Sequence, residues 1–426
     1  METFKKNDKK VINAWALFDW ANSAYALVIS TAIFPVYFIK FTPDVIDMGG
    51  FSFSNSALYS FAVAFSYLII ACLSPLLSGM ADYGGRKKFF LQMFTIIGSL
   101  ACILLYFFKG EPQLWLGTSA FILATVGFAG GIVFYNAYLP MIVTEDRYDK
   151  VSAKGFAMGY LGSVILLVVI LVMIQRPAWF GIEDPQLPAR LGFLMVGLWW
   201  LGFAQITFKY LPKDNKTKSS ENLFSKGFQE IRTVFGRLKH QPWLKRFLLA
   251  FFFYSAGVQT VIYLATVFAE KELSFESSEL ILLVLILQLV AIGGAYFFAY
   301  ISKITSNKTS LSIMLIIWIA ICIGAYFTEG KMLFYVLASM VGMVMGGIQA
   351  ISRSTYSKML EDKDNDTTSY FSFYDVLYKL AIVVGTFLFG IVDNLTGNMR
   401  YSVLVLAGLF IIGIIILNTI QSKAIN

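Results

Sequence analysis

Long apolar runs separated by short polar connections fill the chain, at residues 14–40, 55–80, 89–108, 115–140, 153–175, 190–211, 245–269, 278–301, 310–328, 332–356, 369–392 and 400–419. Each is close to the roughly 20 residues that an α-helix needs to cross the hydrocarbon core of a bilayer. The pattern predicts an all-α integral membrane protein with twelve transmembrane helices. Residues 212–244 interrupt it with a polar, basic segment, dividing a six-helix half at 1–211 from another at 245–426. Inside this linker Phe224, Phe228, Ile231, Phe235 and Leu238 recur at helical spacing, with Lys226, Arg232, Arg237 and Lys239 largely elsewhere on the wheel. The spacing predicts a short amphipathic helix, either lying on the inner leaflet or packed under the bundle.

The halves echo each other. Gly127-x-x-x-Gly131 leads to Glu145-Asp146, and about half a chain later Gly342-x-x-x-Gly346 leads to Glu361-Asp362. Small residues at that spacing also serve ordinary close packing of membrane helices. Two six-helix repeats with a site between them near the midplane are one common transporter architecture.

Composition agrees with the membrane reading: 58% of residues are hydrophobic and 14% charged, with a mean hydropathy of +0.69. Lysine and arginine then set the orientation, because cytoplasmic connections carry the excess. One side collects the METFKKNDKK tail, Arg86 to Lys88, Arg147 to Lys154, the 209–246 segment, Lys303, Lys308, Arg353, Lys358, Lys363 and Lys423. The other holds Lys40, Lys109, Arg176, Arg190, Lys271, Lys331 and Arg400. Both termini are therefore expected in the cytoplasm, and the short loops point to a bacterial cytoplasmic membrane, with a vacuolar membrane as the alternative. The net charge of +8 lies in short juxtamembrane loops rather than on one soluble face, so topology explains it and a nucleic-acid partner does not. The first apolar run is too long for a signal peptide and lacks a small-residue cleavage site, so it is expected to remain.

Catalytic and cofactor chemistry finds little support. Cys72, Cys102 and Cys322 lie in apolar runs without paired spacing and read as packing residues. The single histidine, His240, falls in the linker, which excludes a histidine-based metal or haem site within the membrane. Neither G-x-S-x-G nor G-x-x-x-x-G-K-[ST] occurs, which argues against a hydrolase and against direct ATP drive. The expectation is no enzyme, no metal and no cofactor.

Polar residues inside the spans carry the functional signal. A carboxylate in the membrane costs roughly 2.5–3.5 kcal/mol on insertion scales, so Asp19 must face a bundle interior or a wet path. Asp19, Asn22, Ser23, Ala26 and Ser30 share one helical face. Asp19 is expected either to carry a proton or meet a substrate ammonium, or else to make a structural bond to another helix. The seventh span offers Ser255, Gln259, Tyr263 and Thr266, and the tenth Gly342, Gly346, Gln349 and Arg353. In the eleventh span Asp375 and Lys379 are four apart and form an ion pair about 15 Å into the helix. That pair is either a switch displaced by substrate or proton, or a lock with Asp82 or Arg86 at an inner gate.

After the second span the chain reads SGMADYGGRKK, Ser78 to Lys88, which resembles the loop signature of the major facilitator superfamily. Asp82, Gly85, Arg86 and Lys87 match in register; Ser78 stands where that family has a glycine, and Tyr83 where it has a base. Physically the glycines allow a tight turn, Asp82 can cap a helix, and Arg86 can pair across the halves. The resemblance implies conformational switching, with Asp82, Gly85, Arg86 and Arg353 at the gate. WALFDWANSAY, ending at Tyr25, GGIQAISRSTY at 346–356 and FSFYDVLYKLAIVVGTFLFG at 371–390 resemble the branch that includes the autophagy-related vacuolar amino-acid effluxers and their bacterial relatives. The implied function is a monomeric secondary transporter of amino acids or similar small polar solutes, by alternating access, with protons as the candidate coupling ion. Asp19, Asn22, Ser23, Tyr25, Gln259, Tyr263, Gln349, Asp375 and Lys379 are the expected substrate or proton pathway. The alternatives are efflux of amphipathic drugs, or a non-transporting receptor on the same fold.

Overall fold

The computed structural model describes residues 6–48, 51–214, 223–360, 366–396 and 398–421. The N-terminal half contains α1 (Lys9–Phe41), α2 (Asn55–Gly84), α3 (Lys87–Leu105), α4 (Leu114–Ala137), α5 (Tyr148–Gln175) and α6 (Leu187–Tyr210). The linker helix α7 (Leu223–Lys239) leads to α8 (Pro242–Leu273), α9 (Ser277–Ile304), α10 (Asn307–Phe327), α11 (Lys331–Met359), α12 (Thr367–Thr396) and α13 (Met399–Asn418). All but α7 are long and apolar enough to cross a membrane. Their ends fall within five residues of the sequence-based limits, the largest shifts being the starts of α1 (9 against 14) and α5 (148 against 153). A small hairpin, Val45–Met48 paired antiparallel with Phe51–Ser54, follows α1. Glu361, Asp362, Lys363, Lys423 and linker residues 215–222 lie outside the described residues.

Several helix ends fall where the sequence supplies a cap. Asp8 accepts from the amides of Lys10 and Val11 at the start of α1, and Ser306 from Thr309 at the start of α10. At the end of α2, Gly85 takes φ +58°. Its amide bonds to Asp82 and that of Arg86 to Ala81, the two bonds of a Schellman stop, which favours glycine in the left-handed position. Within α1, residues Tyr25–Ile33 widen into a π-helix, with the Thr31 hydroxyl donating to the Ala26 carbonyl at 2.8 Å. The wider turn shifts the helical wheel midway along the span.

The linker helix packs under the bundle. Gly227 of α7 lies against Gly79 of α2 so closely that a Cβ on Gly79 would sit 2.2 Å from the Gly227 carbonyl oxygen. This contact accounts for a glycine at 79 rather than 78. Val234 and Leu238 are buried with it, and Lys226 stands over the Tyr83 ring. Phe224, Phe228 and Phe235, in contrast, form an exposed stripe beside that inner face. Cys102 and Cys322 are buried, but Cys72 is exposed on the outside of α2 and fills no core.

Repetition shows in polar clamps at equivalent places of the two halves. The Lys88 ammonium donates to the Leu211 carbonyl at the end of α6, and that of Lys308 to the Asn418 and Ile420 carbonyls at the end of α13. On the opposite side, Arg190 of α6 donates to the Tyr106 carbonyl (2.7 Å), and Arg400 of α13 to the Tyr326 carbonyl (2.9 Å). Gly127 and Gly342 serve helix packing, against Gly98 and the Leu287 backbone respectively. Removing a charge-assisted bond to a buried carbonyl costs about 2 kcal/mol. Arg190→Ala and Arg400→Ala are each expected to lower the detergent unfolding temperature, Arg190→Ala more because that side chain is more buried; a thermal melt checks both.

Candidate functional site

Between the halves lies a cavity of ≈ 300 Å³, lined from α1, α2, α4, α5 and, across the interface, α8, α9, α11 and α12. Its floor, on the side that carries both chain ends, is built around Arg353 of α11. This guanidinium belongs to the C-terminal half, yet its polar partners belong to the other. Nε donates to the Ser152 hydroxyl (2.9 Å), Nη2 to the Ser152 carbonyl (2.8 Å), and Nη1 to Asn136 (3.2 Å) and Asp19 (3.4 Å). The rings of Phe156, Trp15 and Tyr135 surround it with centroids 4.2, 4.8 and 5.5 Å from the guanidinium carbon. A planar, delocalised cation suits such a slot because it accepts ring contacts on its faces and hydrogen bonds at its edge.

Asp19 is held on one oxygen. Its Oδ2 accepts from the Tyr135 hydroxyl (2.8 Å) and faces Arg353, while Oδ1 has no hydrogen-bond partner among the described residues. The close approach depends on α5, where Gly155, Gly159 and Gly162 face α1. A Cβ on Gly155 would stand 2.6 Å from Asp19 Oδ2 and 2.8 Å from Arg353 Nη2, and one on Gly159 would stand 2.5 Å from the Ser23 hydroxyl. On the opposing wall, Asp375 and Lys379 pair on successive turns of α12, both buried and both lining the cavity. Only Asp375 contacts the Lys379 ammonium among the described residues, leaving two of its three donors unused.

Seven of the nine expected pathway residues line this cavity: Asp19, Ser23, Gln259, Tyr263, Gln349, Asp375 and Lys379. Gln349 also accepts from Tyr160 across the halves. Asn22 and Tyr25 do not. Asn22 is buried away from the lining with neither amide atom bonded among the described residues. The Tyr25 hydroxyl shares a hydrogen with Thr125 of α4 at 2.6 Å, so it ties α1 to α4. The polar face is narrower than the simple wheel implies, and the π segment carries it on through Ala26, Leu27, Ser30 and Thr31.

At the gate, Asp82 takes the capping geometry, but on the opposite half. Its carboxylate accepts from the Ser369 amide (2.7 Å) and the Thr368 amide (3.3 Å), the exposed first-turn donors of α12. Arg86 does not pair across the halves among the described residues. Lys87 takes that place, 3.1 Å from Asp82 and donating to the Thr367 hydroxyl at 2.7 Å. Asp375 and Lys379 form no lock with Asp82 or Arg86 among the described residues, since they lie further along α12, roughly 9 and 15 Å beyond Ser369 at 1.5 Å per residue.

Sequence reasoning missed Tyr135, Asn136, Ser152 and Phe156, all on the N-terminal half and all in contact with Arg353. The Gly155, Gly159, Gly162 run on α5 was the available signal, because a small-residue stripe marks where another helix comes close. No cluster of metal-ligand type is present among the described residues.

Two six-helix halves around a central cavity, largely apolar with a few charged and polar groups, define a secondary transporter of the major facilitator type, not an enzyme. Solved structures share the fold: the E. coli fucose:proton symporter FucP, with TM-score 0.70 and 15% identity over 97% of this chain and 98% of that one, and the proton:xylose symporter XylE, with TM-score 0.71 and 13% identity over 95% and 94%. The family described as vacuole effluxer Atg22 like matches residues 7–424, and the chain belongs to it. The uncharacterized MFS-type transporter YxiO of Bacillus subtilis is 32% identical over 98% of this chain and 95% of its own length. Autophagy-related protein 22 of Saccharomyces cerevisiae is 24% identical over 87% and 78%.

The glycine seat yields a test that needs no known solute. Overpacking at Gly155 is expected to destabilise by about 2 kcal/mol, so Gly155→Ala lowers the unfolding temperature. Gly202→Ala, whose Cβ meets nothing within 4 Å, leaves it unchanged or higher.

Proposed function

We propose that the chain moves small zwitterionic solutes, amino acids foremost, by alternating access and in exchange with protons. The observation that carries this reading is a division of charge across one cavity. Asp19, on the N-terminal half, keeps an oxygen free toward the cavity, and Lys379, on the C-terminal half, keeps two donors free. A solute ammonium meets the first and a carboxylate the second. Arg353 is already bonded to Ser152, Asn136 and Asp19, which makes it the floor rather than the solute ligand.

A solute bridging Asp19 and Lys379 holds both halves at once, and such differential contact is what biases a two-state equilibrium. When the halves part on the terminus side, Arg353 leaves its seat. Asp19 then loses its countercharge and takes either a proton or the solute amine, which supplies the coupling. The excess of basic residues on the terminus side supports placing both ends in the cytoplasm, and the similarity to YxiO supports a bacterial cytoplasmic membrane. Each chain holds a whole cavity, which supports a monomer.

A second reading has one observation in its favour: tyrosines and phenylalanines such as Tyr67, Phe128, Phe251 and Tyr374 line much of the same cavity, a surface suited to amphipathic compounds. Flux in proteoliposomes separates the two. Amino-acid flux that rises with an imposed pH gradient, and falls at least tenfold in Asp19→Asn and in Lys379→Ala, is the expected result. Normal flux in both variants overturns the assignment, and transport of amphipathic dyes alone selects the second reading.

A further inference from the structure

Where α1 passes the cavity its backbone changes hydrogen-bond register, and the sequence dictates where the change stops. In the π segment Tyr25–Ile33 amides reach back five residues, the last such bond running from the Phe34 amide to the Ile29 carbonyl. The next would run from residue 35 to the Ser30 carbonyl. Residue 35 is proline and has no amide hydrogen to give. The Ser30 carbonyl is met from another helix instead, by the Tyr59 hydroxyl of α2 at 3.1 Å. A bare carbonyl at membrane depth is strongly unfavourable, so this one hydroxyl completes the segment.

An α register would put the gap elsewhere. The Phe34 amide would then reach Ser30, four residues back, and Pro35 would leave the Thr31 carbonyl bare. Tyr59 thus meets the carbonyl that the π register alone leaves open. Thr31 marks the register too: its hydroxyl donates five residues back, to the Ala26 carbonyl at 2.8 Å, whereas those of Thr95 and Thr125 donate four back, to Leu91 and Phe121. The register decides what faces the solute. At about 100° per residue, an unbroken α-helix would set Ser30 about 20° from Asp19 on the wheel and Thr31 about 120° away. Thr31 nevertheless lines the cavity beside Ser30. The flanks of the segment are held, on one side by Trp15 and Asp19 bonded to Tyr135, on the other by Phe34 stacked on Phe121 at 4.6 Å and the Tyr37 hydroxyl donating to the Phe108 carbonyl at 2.9 Å. A change of register is therefore taken up between them.

We propose that Tyr59 is a positioning residue for the solute cavity: its hydroxyl stands in for the amide that Pro35 lacks, holds Tyr25–Ile33 in the π register and so keeps Thr31 in the cavity wall. Without that hydroxyl each register leaves one carbonyl bare, the commoner α ladder prevails, and Thr31 turns away. The role is the same whichever solute is carried.

The test separates register from stability. In a background with Cys72, Cys102 and Cys322 replaced by alanine, single cysteines introduced as Thr31→Cys and Ser30→Cys are alkylated in the purified, detergent-solubilised protein by a water-soluble maleimide, and the ratio of the two rates is read. Tyr59→Phe keeps the ring against Phe34, Phe38 and Phe121 and is expected to lower the ratio about tenfold. Pro35→Ala, which supplies the amide that an α ladder needs, is expected to lower it as much, and the double variant no further. The unfolding temperature is expected to fall in Tyr59→Phe and to stay at or above the parental value in Pro35→Ala and in the double variant, where the α register leaves no carbonyl bare. A ratio unchanged in both single variants overturns the proposal. So does a Tyr59→Phe effect on the unfolding temperature that is the same with and without Pro35→Ala, the result of a hydroxyl that merely packs. If Tyr59→Phe fails to insert, Pro35→Ala decides alone, an unchanged ratio overturning the proposal.

Discussion

One arginine of the C-terminal half sits inside the N-terminal half, and the rest of the site is arranged around that intrusion. Arg353 is 3% exposed and has hydrogen bonds to Ser152, Asn136 and Asp19 with three rings against it. A buried cation without such partners would carry a large desolvation penalty. The partners all lie on the opposite half, so the penalty is offset only while the halves are together on the terminus side. The same contacts therefore close one end of the cavity, form its floor and set the electrostatic state of Asp19. This links packing to transport.

Around that centre the repeat supplies the stiffness. Lys88 and Lys308 tie the last carbonyls of α6 and α13 to the starts of α3 and α10, while Arg190 and Arg400 do the reverse on the other side. Each half is cross-braced at both ends by charge-assisted bonds, consistent with halves that rock as bodies. The contacts between halves include polar side chains such as Asp82, Asp149, Ser152 and Gln349.

The twelve spans were legible because length and hydropathy alone decide them, and the errors at their ends come from polar first turns, as at Lys9 and Tyr148, that extend beyond the apolar run. The cavity was legible wherever a polar residue stood isolated in an apolar helix: Asp19, Gln259, Asp375 and Lys379 all reach it. Asn22 and Tyr25 defeated the same logic, since buried polar groups on neighbouring turns look alike in a sequence and the π segment alters the wheel. The loop motif gave the capping role of Asp82 but not its partner: Lys87 rather than Arg86 completes the clasp, a choice made by the turn that Gly85 imposes. The floor beneath Asp19 was invisible because Tyr135, Asn136 and Ser152 are unremarkable until α4, α5 and α11 converge.

Seating Arg353 in the N-terminal half is what we propose holds the terminus side closed. Spin labels on the terminus-side ends of α5 and α11, with pulsed dipolar spectroscopy of the distance between them, test it most directly. A short distance is expected in the parent protein, with a shift of the population to a longer one in Arg353→Gln. Identical distance distributions in the two proteins would contradict it.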